Sequence, residues 1–161
     1  MDKQTKIIIL IGGGVLVLSW FRKPKATVTT SEGFDLSAYG GAVSYPQPIK
    51  TFAIAIARQE GFYVRDSIPA RAHNPGDLKI EGKPTLPGSS ITQFANDDEG
   101  WNALYRQLWI IVTGSSSRYN LDMSIEEMAR TWTATQQNEW ASNVAMFAGA
   151  TPDMKLWQVL T

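Results

Sequence analysis

The sequence predicts a mainly α, α+β fold: a helical lobe with a small β-hairpin lobe, preceded by one N-terminal membrane-anchor helix. Three observations predict it. Apolar residues recur at helical spacing through most of Ile49 to Leu160. Between Leu78 and Phe94 that spacing is broken by Gly82, Pro84, Pro87 and Gly88 among short β-branched runs. Near the start, Ile7 to Phe21 is an apolar run flanked by Lys6 and by Arg22-Lys23.

That run has 15 residues, fewer than the roughly 20 that cross a bilayer core. Gly12-Gly13-Gly14 weaken it as a helix. Trp20 and the flanking Lys and Arg side chains suit the membrane interface and lengthen the span by snorkelling. The length also fits the apolar part of a cleaved signal. Basic residues follow at once, however, and no small-x-small cleavage site is evident. Residues 1–23 are therefore expected to form a retained membrane anchor, with its orientation open because the flanking positive charge is nearly balanced. Residues 24–48, rich in Thr, Ser, Gly and Pro, read as a flexible linker. Residues 49–161 are expected to form a single-core domain.

Within that domain, Ile49 to Glu60 reads as the first helix. Phe52, Ile56 and Glu60 are spaced by four and share a stripe, and Gly61 is a natural stop. Leu78-Lys79-Ile80 and Ser90 to Phe94 are the arms of the expected hairpin. Asn96 with Glu99 reads as a capping box, opening a helix with Trp101, Leu104, Leu108 and Ile111 on one face. Ser124 with Glu127 is a second capping box, opening a helix that carries Met128 and Trp132. Trp140, Val144 and Phe147 mark another helix, stopped by Gly149. A last short helix is expected from Thr151, with Pro152 at its first position and Leu156 and Leu160 facing inward.

Composition narrows the function classes. Hydrophobic residues are 43% and charged residues 19% of the 161, the balance of a chain that packs a core. Net charge is zero but unevenly spread: the first 25 residues carry five Lys/Arg and one acid, which leaves 10 − 14 = −4 on the rest. A mildly acidic body argues against nucleic acid, which wants a basic face. There is no Cys, hence no disulfide or thiolate chemistry. His73 is the only His, and Asp97-Asp98-Glu99 are adjacent rather than alternate, so neither a zinc nor a calcium site is expected, and no cofactor.

Glu60 is the residue that points to chemistry. Its stripe-mates face the core, so it sits at the core's edge, in the last turn of a helix and at the negative end of the macrodipole. Burial and dipole both disfavour ionisation, so its pKa is expected to rise. A carboxylic acid that stays protonated near neutrality is what a glycosidase uses as its general acid. Other acids are placed more simply: Asp97 and Asp98 as first-turn charges of a helix, Asp66 as a loop acid. Asp77 is the best second carboxylate. Aromatic faces stack on sugars and amide side chains read acetamido groups, so Tyr63, Gln93 and Trp132 are candidates for a cleft. Trp101, Trp109 and Trp140 fit helical core stripes.

Gln59-Glu60-Gly61-Phe62 resembles the glutamate motif of soluble lytic transglycosylases and goose-type lysozymes. Pro69-Ala70-Arg71-Ala72-His73-Asn74-Pro75-Gly76-Asp77-Leu78 is similar to a loop of phage-associated and bacterial lysozyme-like proteins, with Asp77 where that group has a second asparagine. Phe94 to Leu108, and Trp132 to Asn138 with Trp140, Asn143-Val144 and Gly149, are similar to the group's later helices. The resemblance spans Phe52 to Leu156. It implies a lysozyme-like fold and cleavage of the MurNAc–GlcNAc β-1,4 bond of peptidoglycan, with Glu60 as general acid and base. Hydrolytic and anhydro products both stay open. It further implies substrate contacts from Tyr63, Arg71, Asn74, Asp77, Gln93, Trp132 and Asn138. The partners implied are peptidoglycan glycan strands, a membrane through the N-terminal helix, and other virion or envelope proteins. The implied location is a virion membrane or bacterial cell envelope, facing peptidoglycan. A lysozyme-like module that grips the wall or builds a virion without cutting is the rival reading.

Overall fold

The computed structural model describes residues 44–161. The expected anchor (1–23) and most of the expected linker (24–43) lie outside the described residues. The body is mainly helical, as expected, with six helices in chain order: α1 Gln47–Gln59, α2 Ile68–Arg71, α3 Asp97–Val112, α4 Ile125–Trp132, α5 Gln137–Ala148 and α6 Leu156–Leu160. Among the described residues no helix is long and apolar enough to cross a membrane.

α1 is the axis of the core. Its apolar face (Ile49, Phe52, Ala53, Ile56) is fully buried against α5, α3 and α6. Each large side chain sealed in this way contributes about 1.5–3 kcal/mol. From α3 come Leu104, Leu108 and Ile111, from α4 Ile125 and Met128, from α5 Val144, and from α6 Leu156 and Leu160. Tyr45 is buried with them, and helix begins at Gln47. The expected linker therefore ends before Tyr45 rather than at Pro48, because Tyr45 packs its ring near Tyr105 and Trp109.

Local chemistry sets the helix ends. Asn96 Oδ1 accepts the Glu99 N–H at 3.0 Å, opening α3. The capping box of α4 is complete: Ser124 Oγ accepts from the Glu127 N–H at 3.1 Å, and Glu127 Oε2 accepts from the Ser124 N–H at 2.6 Å. Gly149, at φ 71, closes α5 in the left-handed conformation.

Three elements differ from expectation. α2 is an extra short helix, capped by Ser67, whose Oγ accepts the Ala70 N–H at 3.2 Å. The hairpin lobe is reduced to a single antiparallel bridge, Thr85 to Thr92. Pro84 and Pro87 have no N–H to give a ladder, and Gly82 and Gly88 take positive φ and turn the chain. Third, the last helix starts after Lys155, not at Thr151. Before it, Pro152 O and Met154 O accept the N–H groups of Glu126 and Ile125, so this stretch caps α4 instead of entering a helix.

One close approach positions the site loop. A Cβ on Gly100 of α3 would lie 1.8 Å from His73 O and 2.9 Å from Pro75 Cδ. Only glycine lets the 73–77 loop lie directly on this helix.

Candidate active site

Glu60 is the C-cap of α1, at φ −72. The next residue, Gly61, is left-handed at φ 78, which turns the chain away and leaves the Glu60 side chain at the core's edge. Two indoles hold it. Trp140 Nε1–H donates to Glu60 Oε1 at 2.7 Å, and Trp132 Nε1–H donates to the same oxygen at 3.2 Å. Trp132 ends α4 and Trp140 lies in the first turns of α5, their ring centroids 5.9 Å apart and tilted by 33°. With both donors on Oε1, the neutral acid carries its proton on Oε2, the oxygen left free to exchange it.

Burial raises the Glu60 carboxyl to about 7. The Trp140 N–H opposes this by favouring the anion; the negative charge of Asp77 adds to the rise; the Trp132 N–H opposes it more weakly. Asp77 is itself raised by burial to about 6, against the pull of Lys79. Asp77 sits at φ 52, a conformation Asp tolerates better than most residues. Its Oδ1 is buried and has no hydrogen-bond partner. The structure thus holds two poorly solvated carboxyls, both raised by burial, with the charge of Asp77 adding to the rise at Glu60.

Beside them runs a groove of about 660 Å³, with walls from the Gly76–Lys79 loop, one face of α3, the Ser115–Tyr119 loop and the end of α4. Asp77 and Trp132 line it; Glu60 adjoins it through its hydrogen bond to Trp132 and the nearby charge of Asp77. Glu60 keeps partial exposure, so the carboxyl is not sealed inside the protein.

The structure brings Glu60, Asp77 and Trp132 together from the residues expected at the site. It does not bring the others to this groove. Asn74 is corrected from substrate contact to scaffold. It is fully buried, its Nδ2 donates to Leu78 O (2.9 Å) and Thr92 O (2.8 Å), and its Oδ1 accepts the Leu78 N–H at 2.9 Å. No polar atom of that side chain is left for a ligand. Tyr63 is 58% exposed but packs edge-on against Phe62 and beside Trp101, outside the groove lining. Arg71, on α2, and Gln93 are exposed and also outside it. Asn138 lines a separate shallow depression at the start of α5.

Sequence reasoning placed Trp140 in the core, and its ring is buried, but its N–H is turned onto the acid. The available signal was two Trp residues eight apart, bracketing a polar turn between α4 and α5. Tyr119, whose ring lies 5.9 Å from that of Trp132, and the basic residues of the groove were also missed. His73 pairs through Nδ1 with Asp97 Oδ1 at 2.6 Å, which ties the site loop to the start of α3. Comparison with family models, with curated proteins and with solved structures gives no match for this chain.

Proposed function

We propose that this protein cleaves peptidoglycan glycan strands at the MurNAc–GlcNAc β-1,4 bond, in a lysozyme-like fold, with Glu60 as general acid and then base. The observation that supports this most is the Glu60 carboxyl: partly buried, with its pKa raised to about 7, fixed through Oε1 by two indole N–H groups, and next to a sugar-sized groove.

In this reading Glu60 Oε2–H protonates the leaving glycosidic oxygen as the bond to the MurNAc anomeric carbon breaks. The two indole N–H groups stabilise the carboxylate that remains. That carboxylate then takes a proton from the group that attacks the anomeric carbon. If this is the sugar's own C6 hydroxyl, the product is a 1,6-anhydro muropeptide; if it is water, the product is a reducing end. Asp77 supports the hydrolytic branch. It lines the groove, and above about pH 6 it is an anion beside the acid. A membrane-tethered virion or envelope protein that opens the wall locally fits the expected N-terminal anchor.

Digestion of purified sacculi with the full chain, with products identified by mass, tests the proposal. Glu60→Gln keeps an acceptor for both indoles and removes the transferable proton. It is expected to lower turnover by at least ~100-fold while leaving the fold intact. Unchanged turnover in that variant removes Glu60 from its role. Binding without any product from the wild type favours a wall-gripping module.

A further inference from the structure

The groove has a charge the rest of the body lacks. Lys79, Arg118 and Arg130 all line it, from three separate segments, and Asp77 is the only acid among the lining residues. All three basic residues are exposed, and none forms an ion pair among the described residues. Exposed side chains of Ser115, Ser117 and Thr131 stand among them. Yet the chain after Lys25 is net acidic, at 10 − 14 = −4. A patch of positive charge at one groove of an acidic body concentrates anions there.

We infer that Lys79, Arg118 and Arg130 bind carboxylates carried by the muramyl residues of the strand, so that the groove selects anionic over neutral glycan. The glycan backbone itself is uncharged. Carboxylates come from two sources on it: the peptide stem, and the lactyl arm once the stem is removed. Guanidinium groups suit them because a planar fork matches a carboxylate in two hydrogen bonds. Arg118 comes from the Ser115–Tyr119 loop and Arg130 from α4, and both line the same groove. This inference rests on the groove being the glycan site proposed above, and adds which glycan it takes.

The test is binding, read apart from cleavage. Glu60→Gln full chain is co-sedimented with three insoluble probes: teichoic-acid-free sacculi bearing stems, the same sacculi stripped of stems by an amidase, and chitin. Both forms of sacculi are expected to bind more tightly than chitin, and the difference to shrink as salt is raised to about 0.5 M. Stem-bearing above stripped sacculi assigns the cations to the stem; equal binding assigns them to the lactyl arm. Adding Arg118→Gln and Arg130→Gln is expected to weaken sacculus binding by roughly tenfold at low salt, whereas Arg65→Gln, outside the groove, leaves it unchanged. Thermal unfolding of each variant establishes that it is folded. Equal affinity for chitin and sacculi, or no effect of the two groove substitutions, overturns the inference. Salt-sensitive sacculus binding by a wild type that cuts nothing would sustain it while removing the enzymatic reading.

Discussion

Replacing Glu60 by Gln is expected to stabilise the protein at alkaline pH and to leave it unchanged in acid. The folded carboxyl lies at about 7, against 4.5 for an unperturbed Glu, so the native state binds this proton more tightly than the unfolded chain. Stability from this group is full below about pH 4.5 and is lost as pH rises through about 7. A gap of about 2.5 units corresponds to roughly 3 kcal/mol; partial exposure brings that to about 2 kcal/mol. Gln has no proton to lose, still offers Oε1 to both indoles, and so escapes the alkaline penalty. Asp77 titrates in both proteins and cancels in the difference to first order. Urea unfolding followed by Trp fluorescence, run on the pair at about pH 4.5 and about pH 8.5, measures the effect. The expected difference is within about 0.5 kcal/mol in acid, and about 2 kcal/mol in favour of the variant in base, or roughly 8 °C in Tm. A difference that does not change with pH, or one that favours the wild type at alkaline pH, refutes the buried-acid argument at its root.

Cleavage should fall in alkali as Glu60 ionises at about 7 and, where the product is a reducing end, also in acid as Asp77 takes up a proton at about 6. Asp77→Asn is expected to remove the acid limb and to move the alkaline limb down, because the charge that raises Glu60 is gone. In Trp140→Phe the anion loses its shorter donor, so the alkaline limb should move up by roughly half to one pH unit, and Trp132→Phe, with the longer bond, should move it less. An unmoved limb in both would show that the indoles do not tune the acid. Asn74→Ala strands Leu78 N–H, Leu78 O and Thr92 O, and should cost about 2–4 kcal/mol in denaturant unfolding; a loss under about 0.5 kcal/mol would return Asn74 to the list of ligand contacts.

Much of this molecule can be read from short stretches of chain, because short-range chemistry dictates those parts. Ser124 and Glu127 cap α4, Asn96 caps α3 and Gly149 closes α5 through atoms only a few positions apart. The four-residue spacing of Phe52, Ile56 and Glu60 is enough to put an acid at the rim of a buried stripe. The hairpin misled for an equally local reason: its β-branched residues promise a ladder that two prolines and two glycines withhold. The character of the acid depends instead on distant partners. Its donors lie 72 and 80 residues away along the chain, and no local pattern says which way a buried indole turns its N–H. Asn74 shows the same limit, since a polar residue in a loop that follows the acid reads as a ligand contact until packing consumes every hydrogen-bonding atom it has. Likewise Lys79, Arg118 and Arg130 are three unremarkable surface charges in the sequence. They become one positive lining because the fold brings a loop, a turn and a helix end around a single groove.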